Sequence, residues 1–233
     1  MADPYPTAPA AGGVRVRDPH LDTTRGVLIV LVVVGHAIGG AHGFLAESLY
    51  AWIYLFHMAA FVTLAGVLSR TLSRPDQYVR MLSTLLVPYL VFQAVNAVTR
   101  TLVRDAPFEL RLAEPGWTLL FLVSLLTWRL LTPLIRAVHP AAALGVAVAA
   151  AVLVPFDTTV DHTLSLARTV GFAPFFVLGL VAPDAWRERL RGPRVRFAGI
   201  GGLVALAVVA PFVARHVPRV ALYLDGPYAD LDV

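Results

Sequence analysis

The sequence predicts an all-α, polytopic transmembrane helix bundle of about seven spans with its N-terminus in the cytoplasm. Three observations predict it. Of 233 residues, 58% are hydrophobic and 15% charged, where soluble domains run nearer half apolar and a quarter charged. The apolar residues gather into continuous runs close to the roughly 20 residues that cross a hydrocarbon core. The arginines lie between those runs with a strong bias to one side, as the positive-inside rule requires.

Residues 1–24 are polar, rich in Pro, Ala and Gly, and carry Arg15 and Arg17, so they read as a flexible cytoplasmic tail. The run from Gly26 to Gly40 resembles a signal-peptide core, but further runs of spanning length follow it and mark it as a retained first helix. The seven spans fall at 25–41, 48–68, 81–99, 117–135, 140–155, 165–182 and 197–214. Continuous rather than alternating apolar character selects helix, which satisfies its own backbone in lipid. Trp117 and Trp128 bracket the fourth span as an aromatic belt would. Residues 215–233 form an extracytoplasmic tail, acidic from Leu224 to Val233. With the N-terminus inside, 13 arginines fall on inner segments and 6 on outer ones. Residues 25–214 thus form one bundle in a multi-pass membrane protein.

Composition removes whole classes of chemistry. There is no cysteine, hence no disulfide, thiolate nucleophile or thiolate metal site. All 19 basic residues are arginine, so lysine Schiff bases and a P-loop are absent. The densest basic stretch, Arg187 to Arg196, reads as a topology anchor beside anionic lipid head groups. It has no aromatic platform or recognition module beside it, so no nucleic-acid partner is expected.

Ionisable side chains are costly inside a bilayer, so each one there is a functional candidate. His36 and His57 lie in the first and second spans. His36 follows Arg25 by 11 residues; at about 100° per residue this falls within roughly 20° of three turns, so the two share a helix face some 16 Å apart. Arg25 at the inner head-group level can hold phosphates, while an imidazole near mid-membrane accepts a proton from an attacking hydroxyl. A snorkelling anchor for Arg25 and an interhelical hydrogen bond for His36 are the plainer readings. His57, in Tyr54-Leu55-Phe56-His57-Met58, reaches a comparable depth from the outside and offers a second acid/base or a substrate donor, or else packs with one bond to a neighbouring backbone group. No third histidine or carboxylate at that depth completes a metal site, so no metal is expected. Gln93 and Asn96, three apart in the third span, are candidates to line an acceptor route or to bond between helices. Arg129 is a candidate for donor phosphates from the inner side or a snorkelling side chain, and Arg168, at the outer end of the sixth span, is a candidate for a sugar or carboxylate. Pro88 and Pro174 should kink their helices and free carbonyls that must be satisfied locally.

Leu21-Asp22-Thr23-Thr24-Arg25-Gly26 with Gly35-His36 resembles the opening helix of the type-3 membrane acyltransferases, whose signature is a basic residue, ten residues, then histidine. Phe56-His57-Met58, Phe61 and Leu64-Ala65-Gly66 resemble that family's second helix, with Ala59 where a proline is usual. Leu86-Val87-Pro88-Tyr89, Trp117, Trp128-Arg129 and Arg168 followed by Phe172-Ala173-Pro174-Phe175-Phe176 resemble the branch likened to fucose 4-O-acetylases. The resemblance implies acyl transfer, usually of acetyl from cytoplasmic acetyl-CoA, to a carbohydrate hydroxyl across the membrane. It implies His36 as the catalytic base and Arg25 as a holder of the donor, in a bacterial plasma membrane. The family core has about ten helices, so seven spans also suit a truncated or partner chain. Membrane histidines suit a carrier or flippase for a polar or lipid-linked sugar as well.

Overall fold

In the computed structural model the residues described are 18–69, 71–72, 74–104, 107–110, 119–154, 166–190 and 192–217. Among them the chain is helical, without strands, in eight helices: α1 Pro19–Ala37, α2 Phe44–Leu68, α3 Pro75–Arg104, α4 Leu120–Ala137, α5 Pro140–Leu153, α6 Leu166–Val181, α7 Asp184–Leu190 and α8 Pro193–His216. The fold is therefore the expected helical bundle. Four helices (α1, α2, Pro75–Val103 of α3, and α8) are long and apolar enough to cross a membrane, and Pro140–Leu153 and Ala167–Val181 are shorter apolar helices. Arg15, Arg17, Arg70, Arg111, Trp117, Arg191, Arg219 and the acidic tail lie outside the described residues.

The helix boundaries follow local chemistry. The Asp18 carboxylate accepts from the His20 amide at 3.1 Å, and Pro19 occupies the first helical turn, where its missing N–H costs nothing. This cap starts α1 ahead of the apolar run, so residues 19–24, expected in the N-terminal tail, form its first turns. It ends at Ala37 rather than near Ala41, because Gly39 and Gly40 follow in a turn. Gly43 has φ 109°, the left-handed region glycine adopts freely, and α2 begins at the next residue. Similarly, Pro75 and Asp76 extend α3 below its apolar stretch. The charged segment Asp184–Leu190, between the expected sixth and seventh spans, is the short helix α7. Pro88 and Pro174 lie inside α3 and α6, which continue through them.

α2 and α6 are the central pair. A Cβ on Gly66 would overlap the Phe176 carbonyl oxygen, and one on Gly179 would overlap the Thr63 carbonyl oxygen. Only glycine lets the two backbones come this close, the means by which membrane helices gain packing contact without a hydrophobic driving force between them. α4 joins α6 through Trp128, which stacks on Phe176 at 5.4 Å and donates its indole N–H to the Thr169 carbonyl at 3.0 Å. The Ser124 and Thr169 hydroxyls share a 2.7 Å hydrogen bond in the same seam. Val62, Trp128, Phe172, Phe176 and Leu180 form the core there. At the far end, Arg136 of α4 donates to the Ser69 carbonyl just beyond α2. These contacts make α2, α4 and α6 run in the same direction.

α1 and α8 flank α2 and run against it. Gly35 of α1 and Gly39 in the turn after it lie beside Tyr54 and Tyr50 respectively. The Trp52 indole donates to the Leu203 carbonyl of α8 at 2.9 Å, and Arg215 lies over the Phe44 ring. α5 packs Ala143 and Ala147 on Val177 of α6, and α3 packs against α4.

Candidate active site

The site forms where α1 stops against the middle of α2. Gly35 sits so close to Tyr54 that an added Cβ would lie 3.1 Å from Tyr54 Cε2 and 3.7 Å from Cζ, the carbon that carries the hydroxyl. His36 is the next residue, half-buried in the last turn of α1. Because α2 rises well past the end of α1, that last turn falls beside the central part of a 25-residue helix. His36 therefore lies level with the middle of α2, close to the depth of His57.

His57 is 2% exposed. Its Nδ1 lies 2.7 Å from the Ile53 carbonyl one turn earlier. A carbonyl oxygen only accepts, so Nδ1 carries a proton and donates it. In the neutral ring this leaves the lone pair on Nε2. The Tyr54 ring meets the His57 ring edge to face at 4.7 Å and stacks on Tyr50 at 4.2 Å. The three aromatic groups fix one another on one face of α2.

Arg168, in the first turn of α6, completes this upper group. It lies eleven residues before Gly179, on the face of α6 that meets α2, and the parallel run of the two helices sets it level with Tyr54. The neighbouring Thr169 anchors Arg168 through its bonds to Ser124 and Trp128 of α4.

A lower group lies nearer the start of α1. Arg25 is exposed on α1 ten residues before Gly35, which sets it level with the stretch of α2 around Val62 that packs with Trp128, the residue before Arg129 in α4. Among the described residues neither arginine has a carboxylate partner, and the Arg129 Nε is buried without a hydrogen-bond partner. Two guanidinium groups at one level of the bundle favour an anion between them.

Of the seven residues singled out from sequence, five fall into these two groups: His36, His57 and Arg168 above, Arg25 and Arg129 below. Gln93 and Asn96 are separate. Gln93 is 5% exposed on the inner face of α3, its amide 3.5 Å from the Tyr89 hydroxyl. Asn96 is exposed. Tyr54 was not singled out, although its position one helical turn before His57 puts both on one face of α2. Among the described residues no three histidine or acidic side chains converge as metal ligands.

No curated protein and no solved structure matches the chain. The model of the type-3 acyltransferase family, described as an acyltransferase domain, matches residues 18–230. That match runs from the cap of α1 past the end of α8 and contains both groups of side chains. The chain is a membrane protein and belongs to the type-3 acyltransferase family.

Proposed function

We propose that the protein is a multi-pass O-acyltransferase of the bacterial plasma membrane that moves an acyl group, acetyl in the first instance, from cytoplasmic acyl-CoA to a hydroxyl of a cell-envelope or secreted carbohydrate. The observation that carries this reading is the distance between the two groups. Arg25 and His36 are separated by 11 residues of one helix, or roughly 16 Å of rise. From the thioester sulfur to the pyrophosphate, the pantetheine arm of CoA counts about thirteen bonds. Extended at the ~1.2 Å per bond of a polypeptide backbone, it spans roughly 16 Å. An acyl-CoA with its phosphates on Arg25 and Arg129 would therefore bring its thioester to His36.

The chemistry then needs one base. His36 takes the proton of the acceptor hydroxyl as its oxygen attacks the acyl carbonyl carbon. The carbonyl π electrons move onto oxygen, giving a tetrahedral oxyanion. Its collapse breaks the carbon–sulfur bond, and the departing thiolate takes the proton back from His36. Atoms and charge balance without a metal or redox partner. His57, held through Ile53, orients or relays for His36. Arg168 lies on the side where a sugar would arrive if the N-terminus is cytoplasmic, the orientation the arginine bias supports. A carbohydrate acceptor is the reading that the likeness to fucose 4-O-acetylases supports. Gln93 and Asn96 are assigned no part in the acyl transfer itself.

Membranes containing the protein, given radiolabelled acetyl-CoA and envelope carbohydrate, test this reading. Label should enter the carbohydrate fraction. Its absence above that of membranes lacking the protein would reject the assignment.

A further inference from the structure

The acyl-transfer reading uses His36 and the arginines but leaves the Tyr54 hydroxyl unassigned. Tyr54 is 8% exposed. The hydroxyl-bearing end of its ring lies against Gly35, the residue before His36, and one ring edge is fixed by His57. Arg168 stands level with it, three turns before Gly179 on the face of α6 that meets α2. A proton acceptor, a neutral hydroxyl donor and a guanidinium thus converge from α1, α2 and α6.

We propose that Tyr54 is a catalytic residue whose hydroxyl, paired with the Arg168 guanidinium, hydrogen-bonds the oxyanion formed when the acceptor oxygen adds to the acyl carbonyl. The inference rests on the acyl-transfer reading and adds a role to it. A base alone leaves the negative charge of the addition step uncompensated in a low-dielectric site, where preorganised donors are worth most. Phenol and guanidinium both donate, and neither must lose a proton for the step to proceed. No new bond is made to Tyr54: the O–H donates to the carbonyl oxygen as its charge grows and stops doing so when the thiolate leaves. The packing supports this assignment. Gly35 has no side chain to push the phenol away, and the contacts with Tyr50 and His57 hold the ring in one orientation.

The test compares wild type, Tyr54→Phe, Arg168→Gln, the double variant and His36→Ala, all as full-length protein in membranes, with labelled acetyl-CoA and envelope carbohydrate. Tyr54→Phe keeps the ring contacts and removes only the hydroxyl. It should lower kcat roughly a hundredfold or more, with the KM for acetyl-CoA nearly unchanged and the melting temperature in detergent unaltered. The double variant should be little worse than the weaker single one, as for groups that act together on one charge. Wild-type rates from a folded Tyr54→Phe, alongside an inactive His36→Ala, would overturn the Tyr54 assignment and leave the acyl-transfer reading standing. Wild type without transfer would overturn both.

Discussion

The Nδ1 of His57 is 2.7 Å from the carbonyl of Ile53, and that one bond decides which nitrogen of a buried imidazole is left for chemistry. Asparagine carries its amide nitrogen near the Nδ1 position, and glutamine reaches nearer Nε2. If Nε2 works with His36, His57→Asn should keep the protein folded yet reduce transfer on the order of a hundredfold, as for lost acid–base help. His57→Gln should lose roughly tenfold less than His57→Asn. Initial rates of acetyl transfer, normalised to folded protein, compare the two directly.

The α2–α6 crossing should be the most sensitive place in the scaffold. Alanine at Gly66 or Gly179 meets backbone, which cannot swing aside as a side chain can. Overpacking of this kind costs about 1–3 kcal/mol and more when backbones must part. Either variant should lower the melting temperature sharply or fail to accumulate. Gly145→Ala and Gly199→Ala have nothing within 4 Å of the added carbon. They should be neutral or, from helix propensity, stabilising by up to about 1 kcal/mol. Thermal unfolding in detergent distinguishes the two pairs.

Thr169 ties Arg168 to α4. Thr169→Val removes the hydroxyl bonded to Ser124 and leaves the Trp128–carbonyl bond in place. The loss of stability should be about 1 kcal/mol, with a larger cost if the buried Ser124 hydroxyl finds no other partner. Activity should fall less than in Arg168→Gln, because the guanidinium remains. Unfolding and transfer rates on the same preparations check both parts.

Much of this arrangement is legible in the sequence, and the parts that are not have physical causes. The apolar runs locate the long helices because lipid demands length and continuity. They misjudge the ends of α1 and α3 because the Asp18 cap and a first-turn Pro75 start these helices in polar sequence, outside any hydropathy signal. α7 carries too many charges to register as a span and is too short for a clear helical period. His36, His57, Arg25 and Arg168 stand out because charge is rare in such segments. Tyr54 does not: an aromatic residue in an apolar run reads as packing until Gly35 is seen against its hydroxyl end. Gln93 and Asn96 show the limit of spacing arguments. Three residues apart on α3, one is buried beside Tyr89 and the other exposed.

The arginine pair makes a prediction about the donor. Arg25→Gln and Arg129→Gln should each raise the KM for acetyl-CoA about tenfold to a hundredfold, the value of a charge-assisted contact. kcat should change far less. Acetyl-pantetheine, which has the arm and the thioester but no phosphates, should be used poorly by wild type and no worse by either variant. Donor titrations with both thioesters measure this. Equal sensitivity to the two donors would mean that the arginines act on something other than phosphate.

The most direct measurement is acetyl transfer by wild type and His36→Ala at equal levels of folded protein, with labelled acetyl-CoA and envelope carbohydrate in membranes. The geometry of α1 against α2 predicts label in the carbohydrate with wild type and none above background with His36→Ala. Transfer that persists undiminished in His36→Ala would contradict the assignment of the base and the mechanism built on it.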